Sequence, residues 1–162
     1  MIEIEQPDFA TMLHNHMATH IGEMTAFLTP VLILVCWTLV MWLWMYATRI
    51  PAMQKAKIDP DSARHPGTYG DLIPANVRAV ADNYNHLHEQ PTIFYALMFF
   101  AAMTGGGSAL MLKLAFGYVG LRVVHSLVQV LSPKVMLRFT VFSISTIVLI
   151  VMTVMEAIRV FL

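Results

Sequence analysis

Two polar runs stand inside otherwise apolar stretches, and each has the spacing of a single helix face. Arg78, Asp82, Asn85 and Glu89 fall at offsets 0, 4, 7 and 11, and Tyr118, Arg122, His125 and Gln129 fall at the same offsets. Offsets of this kind return to one side of an α-helix. Ionisable groups inside membrane spans are costly and face the bundle interior. Arg122, with Arg49 and Arg138 near the same level, makes a positively biased pocket in which guanidinium groups hold the carboxylates of an anionic ligand by charge-assisted hydrogen bonds. Glu89 would orient an arginine or capture an amine there. The competing reading is a buried Glu89–Arg122 pair that only ties helices together, worth roughly 0.6–2 kcal/mol.

The elements that must position these residues are apolar helices. Hydrophobic residues make up 57% of the 162-residue chain and charged residues only 12%, about half the share in soluble domains. So few charges do not cover a water-soluble surface, whereas a bilayer removes the need. The net charge of zero gives no reason to expect nucleic acid. The length predicts one membrane domain over residues 24–162, preceded by a lead-in at 1–23 that is amphipathic or irregular. That lead-in carries Glu3, Glu5, Asp8 and Glu23 without Lys or Arg, unlike a signal peptide.

Four spans are expected. Ala26 to Ala47 holds no charge over 22 residues, enough to cross about 30 Å of hydrocarbon. Trp37, Trp42, Trp44 and Tyr46 suit an interfacial belt, and Pro30 is placed to kink the helix. Residues 49–77, rich in Pro and Gly (Pro51, Pro60, Pro66, Gly67, Gly70, Pro74), read as a polar connection with a short helix. The second helix is expected from just after Pro74 to about Thr104, then a turn at Gly105, Gly106 and Gly107. The third is expected from about Ser108 to Leu131, ended by Ser132 and Pro133, and the fourth from about Lys134 to Val160. At about 1.5 Å per residue, Glu89 and Arg122 lie roughly 22 and roughly 20 Å from the glycine turn, so they could share one depth.

Arg49, Lys55, Lys57, Arg64 and Arg78 follow the first span, and Lys134 and Arg138 follow the third; the opposite side has Lys113 and Arg159. This asymmetry predicts both termini on the non-cytoplasmic side. Cys36, the single cysteine, forms no intrachain disulfide and reads as a buried, inert thiol. His16 and His20 stand at i, i+4 and could share a metal if that segment is helical. The expectation for them and His14 is exposed or interfacial histidines, with no metal site. His86 and His88 lie on different faces of the second helix. Glu156 and Arg159 read as a local i, i+3 pair.

The Asn-x-x-x-Glu-x-Pro element (Asn85, Glu89, Pro91), the Arg-x-x-His element (Arg122, His125) and the four spans together resemble the MAPEG family, membrane-associated proteins in eicosanoid and glutathione metabolism. The resemblance runs from about residue 24 to the end, and the segments Asn83 to Ala96 and Arg122 to Phe142 look most like bacterial members, which implies the inner membrane. It implies an all-α, integral membrane four-helix bundle assembled as a homotrimer. It further implies glutathione as ligand and a transferase or peroxidase acting on lipophilic electrophiles or lipid hydroperoxides. Asn85 and Glu89 would then contact the tripeptide backbone, Arg122, His125 and Gln129 would line the pocket or bind carboxylates, and Arg49 would add positive charge. Arg138 would stabilise the glutathione thiolate, the nucleophilic form.

The chain departs from the glutathione-using pattern at three places. His88 stands where strict spacing puts the Glu, Ala81 where an Arg precedes the Asn by one turn, and Gln129 where a Tyr follows the helix-three Arg by seven. These departures motivate a second reading: a non-catalytic accessory subunit of a larger membrane complex, or a lipid- or quinone-binding protein.

Overall fold

In the computed structural model, which describes residues 8–59 and 72–162, five helices are formed: α1 (Phe9–Lys55), α2 (Ala75–His86), α3 (Gln90–Met103), α4 (Ala109–Leu131) and α5 (Val135–Phe161). α2 and α3 follow one another as a broken rod, so the architecture is a four-rod bundle. α1, α4 and α5 are long and apolar enough to cross a membrane. α3, at 14 residues, spans only about 21 Å alone and belongs to a crossing only together with α2. The polar connection expected over 49–77 is shorter than that at both ends, and its Pro60, Arg64, Pro66, Gly67 and Gly70 lie outside the described residues.

α1 starts far earlier than the expected span. Asp8 is its N-cap, and the Asp8 carboxylate accepts from the Thr11 N–H at 2.8 Å. This bond satisfies an otherwise orphaned first-turn donor. The Thr11 hydroxyl and N–H hold the Asp8 carboxyl below its usual range. Residues 9–23 are therefore helix, continuous with the span; Glu3 and Glu5 lie outside the described residues. The helix continues through Pro30, buried against the bundle, and Pro51 to Lys55. Its end is a Schellman turn: the Lys57 N–H reaches the Gln54 carbonyl at 3.1 Å and the Ile58 N–H reaches Met53 at 3.1 Å, with Lys57 at φ 54°. The turn after α3 is closed in the same way, with Gly105 at φ 74° and the Gly106 N–H on the Ala101 carbonyl at 2.7 Å.

The core is a seam of α1 (Phe27, Val31, Leu34, Met41) against Val80 and Leu87 of α2, Phe94 and Met98 of α3, Met111, Ala115 and Val119 of α4, and Leu149 and Met152 of α5. The outside is as apolar as the inside: Leu32, Leu39, Leu43, Phe99, Ile147, Ile150 and Val154 are exposed, while Asn83, Arg122, His125, Ser126 and Gln129 are buried. A water-soluble bundle would invert this arrangement. Thr25, Thr29, Thr38, Thr140, Thr146 and Thr153 donate their hydroxyls to the carbonyl four residues back, which satisfies them without water. Cys36 is exposed on the outer face of α1, not buried as expected. Leu32, Ile33 and Val35 beside it are exposed too, so the thiol points away from the bundle core.

Candidate functional site

α4 carries the site on one face. Tyr118, Arg122, His125 and Gln129 are all buried, as their 0, 4, 7, 11 spacing requires, and Ser126 joins them. Arg122 is 1% exposed. Its Nε donates to the Tyr118 hydroxyl at 3.2 Å, and its guanidinium lies over the rings of Tyr118 at 5.6 Å and Phe142 at 5.1 Å. Cation–π contacts of this kind offset part of the desolvation of a buried cation. No carboxylate lies within ion-pair distance of it among the described residues, and its Nη2 has no hydrogen-bond partner among them.

The polar column extends both ways from Arg122. Toward the bundle centre, the Tyr118 hydroxyl lies 3.5 Å from Gln90 Oε1, and Gln90 Nε2 donates to the Thr146 hydroxyl at 2.8 Å. Toward the α4–α5 connection, Asn83 Nδ2 donates to Gln129 Oε1 at 3.2 Å, while Gln129 Nε2, Asn83 Oδ1 and Ser126 Oγ find no partner among the described residues. Gln129 also lines a cavity of about 380 Å³ walled by Asn76, Ala79, Ser132, Lys134 and Arg138. Arg138 and Lys134 make its rim positive. The His125 ring stands 6.3 Å from that of His86 and 5.7 Å from Phe142.

The second polar stripe does not meet the first. Arg78, Asp82 and Asn85 are exposed on α2. Glu89 is 63% exposed at its side chain and bonds His86 Nδ1 at 2.9 Å, so no Glu89–Arg122 pair forms. The stripe's own face points away from α4: the buried face of α2 carries Val77, Val80, Ala81 and Asn83, while Arg78, Asp82 and Asn85 are exposed. Pro91 separately breaks the helix. Without an N–H it cannot bond the Leu87 carbonyl, and its ring crowds that carbonyl. The helix unwinds over Leu87 to Glu89, Glu89 takes ψ −96°, and α3 restarts with Pro91 in its first turn. His86, to which Glu89 bonds, stands near His125 of α4.

Asn83, which the stripe omitted, is the α2 residue that faces α4; it is fully buried. Its signal was present: it lies three residues after Val80 and four before Leu87, both buried, so it is the one polar residue on the apolar face of α2. Arg49 is half-buried near the end of α1 and does not line the cavity. Of the expected set, the fold therefore gathers Arg122, His125, Gln129 and Arg138, and leaves Arg49, Asn85 and Glu89 apart within one chain.

An apolar exterior, three helices of crossing length and a run of buried polar side chains on α4, with a cavity beside its end rimmed by Lys134 and Arg138, define a multi-pass helical membrane protein that holds polar groups inside its bundle. The sequence profile of the MAPEG family matches residues 27–158, most of the chain, and the protein belongs to that family. No curated protein and no solved structure matches the chain.

Proposed function

We propose that the chain binds an anionic thiol ligand of the glutathione kind in the column between Arg138 and Arg122, and that it uses it as a transferase or peroxidase on membrane-dissolved electrophiles or hydroperoxides. One observation carries this reading: among the described residues, Arg122 is a buried cation whose Nη2 has no hydrogen-bond partner and which has no carboxylate within ion-pair distance. A charge in that state costs several kcal/mol unless something compensates it. An entering carboxylate supplies the missing acceptor, and Gln129 Nε2 and His125 offer further polar contacts on the way. Arg138 at the cavity rim is the cation placed to keep a thiol ionised.

The assembly belongs to the same proposal. Asp82 and Asn85 form an exposed polar face on α2, and an exposed polar face at membrane depth is expensive against lipid. A second copy covers it, as a homotrimer would. A ligand seated between copies then meets Arg49, Asn85 and Glu89 as well. The proposed location is the inner membrane, with the cationic cavity toward the cytoplasm. Gln129, standing where the family pattern has a phenol, favours a non-catalytic lipid- or quinone-binding subunit of a larger complex as the second reading.

The test is ultraviolet difference absorbance on adding glutathione to protein purified in detergent. A thiolate band is expected, lost in Arg138→Ala, together with conjugating or peroxidase turnover. Absence of both the band and the turnover overturns the enzyme reading, and a co-purifying acyl chain or quinone in the column supports the second one.

A further inference from the structure

The α4–α5 connection stands at the edge of the hydrocarbon. Residues 139–155 of α5 carry no charge, about 26 Å of helix. Lys134 and Arg138 sit just outside that run, at the level where lipid phosphates lie. No side chain among the described residues caps α5, whose N-cap is Lys134. Its first-turn N–H groups and the positive end of its dipole are therefore open, an arrangement that binds phosphate. The cavity of about 380 Å³ at this end is lined by Lys134, Val135 and Arg138 from the same terminus, and none of its lining residues is acidic. The helix end is not its only source of donors. Gln129 lines the cavity and is 5% exposed. Its Oε1 accepts from Asn83 at 3.2 Å, while its Nε2 finds no partner among the described residues. A buried donor left unpaired is costly, and an acceptor arriving in the cavity removes that cost. Leu131 and Val135 line the cavity too and are 68% and 62% exposed, so an apolar lip stands beside the cations. A free anion makes no use of such a lip, whereas an anion that carries acyl chains does.

We propose that this cavity binds the phosphate of one anionic phospholipid per chain. The first-turn N–H groups of α5, Lys134, Arg138 and Gln129 Nε2 are the donors, and the acyl chains lie against Leu131 and Val135. The headgroup carries a net negative charge: with two cations, a helix N-terminus and no acidic lining residue, the cavity offers the ammonium of a zwitterionic lipid no partner. Phosphatidylglycerol meets these requirements. Arg138 is shared with the thiol ligand proposed above, so lipid and thiol compete for it, and lipid composition sets access to the column. That competition rests on the thiol reading, whereas the lipid site itself does not.

The experiment uses the full chain, delipidated in a non-ionic detergent and offered phosphatidylglycerol, phosphatidylcholine or inorganic phosphate, with bound lipid counted by native mass spectrometry. One phosphatidylglycerol per chain should be retained at concentrations where phosphatidylcholine is not. Lys134→Gln and Arg138→Gln should each weaken retention about fivefold, the scale of one basic residue at a headgroup, and Gln129→Leu severalfold. Lys55→Gln, exposed at the end of α1 and outside the cavity, should leave it unchanged, with helicity by circular dichroism the same in all four variants. Equal retention of phosphatidylcholine, or an equal loss in Lys55→Gln, makes the attraction a general one between basic surface and headgroups and overturns the site. Inorganic phosphate that displaces the lipid at equal concentration overturns a lipid as the occupant. Phosphatidylglycerol bound without a glutathione thiolate band overturns the thiol reading alone, and a band in a chain that retains no phosphatidylglycerol overturns the lipid site alone.

Discussion

The two ends of α4 hold buried polar groups of the same kinds in opposite states. At the glycine turn, the Glu156 side chain is 5% exposed and accepts from Arg159 Nη2 at 2.6 Å and Nε at 3.0 Å. Arg159 also donates to the Thr104 carbonyl at 3.0 Å and to its hydroxyl at 2.6 Å. Every group there finds a partner, and the pair ties the C-terminus of α5 to the end of α3 rather than acting only locally along α5. Toward the other end, Arg122, Ser126, Gln129 and Asn83 each leave an atom without a partner among the described residues. Polar groups that glue helices are satisfied by the chain itself. Those that await something else are not. The contrast separates scaffold from site without any appeal to residue type, since both ends use arginine.

The largest expected effect tests the open end. Arg122→Met keeps volume and removes the charge. Replacing a buried unpaired charge with an apolar side chain is neutral or stabilising, so the melting temperature in detergent should hold or rise. Affinity for glutathione, by calorimetry, should fall about 100-fold, or about 2.7 kcal/mol, the scale of a lost charge-assisted contact. A sharp loss of thermal stability with unchanged affinity would instead make Arg122 a scaffold residue and collapse the contrast.

The mirror experiment is Glu156→Ala at the closed end. Breaking a buried pair typically costs 3–5 kcal/mol, but the Arg159 side chain is 34% exposed and regains water, so about 2 kcal/mol is expected, read as a lower melting temperature with unchanged ligand affinity. Gly106→Ala should act in the same direction, because a Cβ built there runs into the Glu156 carboxylate. If either variant moved affinity more than stability, the glycine end would have a part in binding.

How much of this was legible in the sequence depends on whether a stripe also shows which side of its helix is buried. The stripe on α4 is uninterrupted from Tyr118 to Gln129, and all four of its residues are buried as the spacing required. The stripe on α2 is as regular as that on α4, but its spacing does not say which face of the helix is buried: Val77, Val80, Ala81 and Asn83 face inward, Arg78, Asp82 and Asn85 face out, and Glu89 lies past the end of α2. Asn83 was missed because a lone amide between Val80 and Leu87 carries no charge to draw the eye, although a polar residue in an apolar stripe is the informative one. The early start of α1 was hidden because Asp8 and Thr11 are a capping signal set ahead of polar residues rather than an apolar run.

The smallest effect concerns two turns with the same geometry and different residues. Both α1 and α3 end in the hydrogen-bond pattern that needs a left-handed residue just past the cap; α3 supplies Gly105 at φ 74°, but α1 supplies Lys57 at φ 54°. A lysine there suffers the contact of its Cβ with the backbone that glycine lacks, a penalty of about 1 kcal/mol. Lys57→Gly should therefore raise the unfolding free energy by up to about 1 kcal/mol, less whatever glycine returns to the unfolded chain as entropy. The converse change, Gly105→Lys, should lower it by a like amount, since nothing lies within 4 Å of a Cβ at Gly105 and the cost is conformational alone. Thermal unfolding of both variants beside the parent chain measures the pair. If Lys57→Gly lowered stability, the side chain would be contributing more through its charge at the end of α1, where a cation opposes the negative end of the helix dipole, than its backbone costs.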